Sequence, residues 1–183
     1  MTNAPLNALV ERVESVEALD GPGRLAGRTV RGLVSDGALK DVLSGAWLGH
    51  ALHPILTDIP VGAWTSAVIL DWTGGKDSRA ASDRLILTGL LAAGATIATG
   101  WSDWSDAEQR DAAVRRSGLV HAAANATATT LMIGSYYARK RGARGRGKVL
   151  SLAGSAALGV GGWLGGHLSY TLGAGVTASS PSG

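Results

Sequence analysis

The sequence predicts an all-α protein, a four-helix transmembrane bundle with a soluble, mainly helical N-terminal extension. Four apolar segments follow one another after residue 45, and the second and fourth carry no charge inside. Small residues recur within them at four-residue spacing, as in Gly161 and Gly165, and helices in lipid associate through such small residues. Six aromatic residues lie near the segment ends, where an interfacial aromatic belt is expected: Trp47, Trp72, Trp101, Tyr136, Tyr137 and Tyr170.

The four segments run over residues 47–72, 84–101, 118–137 and 149–172. A spanning helix needs ~20 mainly apolar residues, and segments two to four meet that length or nearly do. Segments two and four lack the charged stripe that a surface helix of a soluble bundle shows, so we reject a soluble four-helix bundle. Segment one is interrupted by Asp58 and Pro60. Either Asp58 caps a short helix, or the helix starts near Trp47 and is kinked at Pro60.

The domain boundaries follow from the same pattern. Residues 1–45 carry apolar residues at helical spacing among mixed charges, which predicts a soluble extension that membrane insertion does not need. We expect Gly21–Gly23, with Pro22 between them, to end its first helix and a second short helix to pass through Leu39 and Val42. Residues 46–175 form the predicted membrane domain and residues 176–183 a flexible tail. The first residues have no apolar core, so we expect no signal peptide.

The charge distribution indicates topology rather than a nucleic-acid partner. The chain of 183 residues has a net charge of +3, and six basic residues without an acid lie in the loop Arg139–Lys148. Basic loops of this length stay on the cytoplasmic side, so we expect this loop to be cytoplasmic and both chain ends to lie on the other side. The absence of Cys excludes disulfides and thiolate metal sites.

Four histidines are the strongest candidates for function: His50, His53, His121 and His167. Each lies at or near the end of an apolar segment, and an antiparallel four-span topology places all of them on one side of the membrane. Histidine is costly inside a bilayer, so it marks a functional site there by default. His53, His121 and His167 come from three different segments, and we predict that they converge on one cofactor site. His50 lies outermost.

The predicted chemistry is that of an imidazole-lined pocket. Two imidazoles can bind the iron of haem b axially, and neutral imidazole also suits Zn, Cu or non-haem Fe. Because the histidines share one depth, only one haem or a single metal ion is expected. Asp58 and Asp103 lie near the same face and are candidates to bind the metal or to orient a ligating ring. The candidate metal ligands are therefore His50, His53, Asp58, Asp103, His121 and His167.

Three classes of function remain open at this point. The preferred one is electron transfer by a haem or metal centre. The others are a cofactor-free accessory or structural subunit of a membrane complex, and a small proton-relay or transport protein that uses Asp58 and the histidines. A hydrolase is excluded, because there is no G-x-S-x-G motif and no Cys.

The run Trp47–Ser66 resembles the opening motif of a bacterial membrane family, domain of unknown function 2231. That family commonly reads G-H-P-L-H-P before an apolar P-x-G-x-W-T stretch, and Ala51 replaces the first proline here. Three further stretches are similar to family motifs: Gly100–Trp104, Gly118–His121 and Gly165–Tyr170. The resemblance covers about Ala38 to Val176.

The resemblance implies a four-helix, multi-pass domain in the bacterial inner membrane. Some relatives carry a C-terminal Rieske iron–sulfur domain after the position of Val176, which this Cys-free chain cannot contain. The expected partners are therefore membrane lipid, a Rieske-type or other redox protein, and further copies of the chain in a homo-oligomer. No nucleic acid is expected.

Overall fold

The computed structural model describes residues 4–34 and 37–174, and the tail predicted over 176–183 lies outside this range. These residues form seven α-helices and no strand, which confirms the all-α prediction. The helices are α1 (Ala4–Glu14), α2 (Asp20–Leu33), α3 (Ala38–Ser44), α4 (Leu52–Thr73), α5 (Arg79–Ala107), α6 (Ala112–Lys140) and α7 (Arg144–Tyr170).

The chain divides into two compact units. Unit one consists of the described residues within Met1–His53, Ala98–Ala122 and Gly162–Gly183, and unit two of Pro54–Ile97 and Ala123–Gly161. Unit one therefore holds the three N-terminal helices and all four histidines. Unit two holds most of α4 and the basic loop.

Helix α4 corrects the prediction for the first apolar segment. It begins at Leu52 rather than Trp47, and Asp58 lies inside it, so Asp58 is not its N-cap. Pro60 also lies inside the helix, where its missing N–H leaves the carbonyl of Leu56 without the usual partner. The hydroxyl of Thr96 lies 3.2 Å from that carbonyl oxygen and 3.1 Å from the carbonyl oxygen of Ala92, so its one proton is shared between the two. The bond to Leu56 lets the helix continue through the proline.

The N-terminal extension contains one helix more than predicted, α2. Pro22 and its flanking glycines lie in the first turn of α2 instead of ending a helix. The first-turn N–H groups of a helix have no intrahelical partner, so proline is tolerated there. The expected second short helix, through Leu39 and Val42, is present as α3.

Unit two is built around Trp64. Its core comprises Trp64, Ala67, Ile86, Ala93 and Met132, all buried. The indole Nε1 of Trp64 donates a hydrogen bond of 3.2 Å to the carbonyl of Ile86. A side chain at Gly89 would overlap the same indole, so this glycine is needed for the close approach of α5. Among the glycines that the four-residue spacing marked, Gly161 makes a similar close approach, to the side chain of Asn125, whereas Gly94 has open space around it.

Two helical stretches are long and apolar enough to cross a membrane by length and composition, Lys76–Ala107 and Arg144–Tyr170. They contain predicted segment two and all but the last two residues of predicted segment four, the two segments without a charged stripe. Large apolar side chains on them are exposed, for example Leu91 at 74%. Among the described residues, the helices that cover most of predicted segment one and all of segment three are not both long and apolar enough to pass this test. A four-span bundle therefore remains a prediction.

Candidate functional site

The four histidines lie in unit one but differ in their surroundings. His50 is exposed in the segment that precedes α4, and His53 is the second residue of that helix. His121 lies in α6 and His167 near the end of α7, and these two and His53 are half-buried. Three different helices therefore supply the partly buried imidazoles.

His53 is oriented by contacts with the following helix, α5. Its Nδ1 lies 3.4 Å from the hydroxyl oxygen of Thr99, a buried residue of α5. The ring also lies against Gly100, where a Cβ would come within 2.7 Å of its Cε1 atom. Gly100 therefore makes room for the imidazole, and any larger residue there would have to displace it.

The ring of His121 also packs against a glycine of a neighbouring helix. A Cβ at Gly165 of α7 would lie 3.0 Å from the Cε1 atom of the His121 ring. Both glycines belong to the motifs Gly100–Trp104 and Gly165–Tyr170 that the sequence singled out. A glycine on a neighbouring helix thus permits the packing of each of the two rings.

His167 forms an imidazole–carboxylate pair. Its Nε2 lies 2.7 Å from Oε1 of Glu14, at the end of α1, and both side chains are mostly buried. His167 also borders an open pocket of about 340 Å³, to which Val10, Trp163 and Thr171 contribute. Sequence reasoning missed Glu14, because it treated α1 as an amphipathic surface helix and no motif marks the carboxylate.

The two carboxylates predicted to complete a metal site belong to different units. Asp58 is exposed and belongs to unit two, whereas the histidines belong to unit one. Asp103 is half-buried on α5 in unit one. Within residues 4–34 and 37–174 no three or more His, Asp or Glu side chains form a group that could hold a metal ion. The convergence of His53, His121 and His167 themselves stays a prediction.

A cluster of ion pairs, the anchor cluster, joins the N-terminal helices to the connection between α5 and α6. Its buried centre is Glu108, which accepts hydrogen bonds from Arg115 at 2.7 Å and from Arg31 at 2.9 Å. Asp20 accepts two hydrogen bonds from Arg116, at 2.9 and 2.8 Å. The extension is therefore packed against these helix ends through charged contacts that the sequence did not reveal.

These contacts shift the acid–base behaviour of the anchor cluster. Hydrogen bonding from Arg116 lowers the pKa of Asp20 from 3.8 to about 2, against the opposing effect of burial. Hydrogen bonds to Glu108 and Asp20 raise the pKa values of Arg115 and Arg116, respectively. All three groups therefore stay charged throughout the neutral range.

A second cluster of charges, in unit two, is centred on Asp71. Asp71 is buried and pairs with the equally buried Arg139, the penultimate residue of α6. Arg144 lies 3.0 Å from the same carboxylate, and the hydroxyl of Ser82 donates to it at 2.8 Å. Arg139, which the sequence placed in the basic loop, instead lies in α6 and is buried.

The described fold defines an α-helical protein with two membrane-compatible helices and a set of partly buried histidines. The model of the family described as "Predicted membrane protein (DUF2231)" matches residues 49–178. The chain belongs to this family and is a membrane protein of it. No curated protein and no solved structure matches the chain.

Proposed function

We propose that this is a multi-pass protein of the bacterial inner membrane that relays protons through the histidines of unit one. The observation that carries the proposal is the pair between His167 and Glu14, with 2.7 Å between Nε2 and Oε1. Imidazole is the side chain whose ordinary pKa lies closest to neutral pH, and a carboxylate at hydrogen-bond distance offers it a proton partner. Ionisable residues within spanning segments often mark such relays, and His167 lies in a helix long and apolar enough to cross a membrane.

The other two imidazoles support this role. His121 packs on α7 at Gly165, two residues before His167, and His53 is held by the hydroxyl of Thr99. All three rings are only partly buried, as proton exchange with water requires. The pocket beside His167 offers an entry from solvent.

The relay is tested with the full chain in liposomes that enclose a pH-sensitive dye. We expect the protein to dissipate an imposed pH gradient, and His167→Ala and Glu14→Gln to slow this at least tenfold. His50→Ala is the matched control and should retain the rate, because His50 is exposed and outermost. Proton flux equal to that of empty liposomes, or equal flux in all variants, would contradict the relay.

A second candidate function is electron transfer by one haem b or a single metal ion held by His53 and His121. The observation that favours it is the contact of His53 Nδ1 with Thr99, because metal-ligating histidines usually have their second ring nitrogen oriented by such a partner. The bound group would supply one-electron chemistry, with a Rieske-type or other redox protein as partner. His167 is not included, since its Nε2 is engaged by Glu14.

A visible spectrum of the purified protein separates the two candidates. A Soret band that shifts when dithionite is added, and that disappears in His53→Ala and His121→Ala, supports the redox function. A colourless, metal-free protein with proton flux supports the relay. A colourless protein without flux would favour the cofactor-free accessory subunit.

A further inference from the structure

We propose that unit two carries a binding site for the phosphate group of an anionic lipid. The site is a pocket of about 250 Å³ formed by the end of α4, the turn after it, and the first turns of α5 and α7. We call it the basic pocket, because four cationic side chains line it: Lys76, Arg79, Arg144 and Lys148. The proposal is independent of the histidines, which lie in unit one.

The charge balance of the basic pocket favours an anion. Asp71 is the single carboxylate among its lining residues, and it is already paired with the buried Arg139. Arg144 is shared between Asp71 and Asp83, and the Lys148 ammonium donates to the Asp71 carbonyl. The positive charge of the lining therefore exceeds what its own acids neutralise.

Two of the four cations are available to a ligand. Lys76 and Arg79 are exposed, and neither has an ion-pair partner in the described part of the chain. The backbone carbonyl of Arg79 accepts a hydrogen bond of 3.4 Å from Arg144. This bond holds the backbone from which the Arg79 side chain extends. A phosphate oxygen in the pocket would meet both free cations.

The turn that separates Lys76 from α4 is well defined. The amide of Gly74 donates to the carbonyl of Leu70 at 3.0 Å, and the hydroxyl of Ser78 donates to the carbonyl of Gly75 at 2.8 Å. A side chain at Gly74 would collide with Ser78, so the glycine allows the turn to close. The cations are thus presented by a hydrogen-bonded turn.

The surroundings of the basic pocket indicate a lipid rather than a free anion. Trp72 is 58% exposed, and the Lys148 ammonium lies over its ring, 5.6 Å from the centroid. Val149 and Ile69 expose 61% and 54% of their surfaces on the adjoining helices. Tryptophan and lysine beside an apolar surface are typical of the membrane interface. A headgroup phosphate in the pocket would leave its acyl chains against this apolar surface, and basic pockets of this kind bind anionic lipid headgroups.

Lipid binding is measured on the full chain in detergent by native mass spectrometry, with phosphatidylglycerol and phosphatidylcholine added separately. We expect phosphatidylglycerol to bind at least tenfold more tightly than phosphatidylcholine. The double substitution Lys76→Gln with Arg79→Gln should remove most of this preference. Both residues are exposed and unpaired, so the variant should fold, and a single symmetric size-exclusion peak verifies this.

The matched control is Arg141→Gln with Arg146→Gln, which removes the same charge from exposed positions outside the pocket. An equal loss of phosphatidylglycerol binding in both double variants would overturn the proposal, because it would reflect general charge attraction. Displacement of the lipid by millimolar inorganic phosphate would assign the site to a free anion and would also overturn it. The proton-flux assay is unaffected by either result, so the two proposals fail separately.

Discussion

Neutralising Asp71 should destabilise the protein strongly, because this residue holds the buried ion-pair cluster of unit two together. Its side chain is fully buried and that of Arg139 is 1% exposed. Removing one partner of a buried ion pair leaves the other charge uncompensated, at a cost of about 3–5 kcal/mol. In Asp71→Asn, however, Arg139 keeps Asp83 at 3.1 Å and the hydroxyl of Ser151 at 3.0 Å. We therefore expect a loss near the lower end of that range.

The assay is equilibrium unfolding of the purified protein in mixed micelles, followed by the fluorescence of its six tryptophans. A loss of about 3 kcal/mol lowers the folded-to-unfolded ratio by about two powers of ten at a given denaturant level. Asp77→Asn is the control, because Asp77 is exposed and lies in the same connection between α4 and α5. Its stability should stay within about 0.5 kcal/mol of the parent.

The double variant Asp71→Asn with Arg139→Gln distinguishes a charge effect from a packing effect. Replacing both members of a buried pair is often far less costly than removing one, so the double variant should lose less than the two single losses combined. The reasoning would be refuted if Asp71→Asn were as stable as Asp77→Asn. Strict additivity of the two single substitutions would refute it as well.

Three further predictions concern other parts of the chain. Because the pKa of Asp20 is lowered to about 2, its stabilisation of the anchor cluster is complete above the ordinary value of 3.8 and is lost as the pH falls toward 2. Pepsin cleavage of the N-terminal helices should rise across that interval in the parent, whereas Asp20→Asn should show no such step. Gly89→Val should destabilise unit two by about 1–3 kcal/mol in the unfolding assay, because its side chain meets the indole of Trp64; Gly94→Val, with open space around it, should not. A cysteine at Ala143, in the exposed turn between α6 and α7, should escape an impermeant thiol reagent in intact cells if the basic loop is cytoplasmic, and rapid labelling would reverse the topology.

The ends of the helices show where prediction from sequence stopped. Hydropathy placed the second segment over residues 84–101, whereas α5 runs from Arg79 to Ala107. Most of the extra residues are polar, and those at the C-terminal end are stabilised by packing: Ser102 and Ser105 are buried, and Lys40 donates to the carbonyl of Ser102 at 2.9 Å. An apolar run marks the part of a helix suited to lipid, but it does not mark turns that are stabilised by contacts with another segment.

The candidate site was predictable only in part for a related reason. The histidines stood out by their rarity, and the motif glycines next to them by their family pattern. Glu14 did not stand out, because carboxylates are common on amphipathic helices and only the structure shows that this one contacts His167.

The sequence by itself determined the helical class, the family, the two most apolar helices and the histidines worth testing, because these depend on composition and local periodicity. Only the tertiary structure decided which charges pair. Arg139 meets Asp71 across 68 positions of sequence and His167 meets Glu14 across 153. Such pairs depend on how each helix is rotated and on which small residues let it approach its neighbour, and the spacing of apolar residues does not specify either quantity.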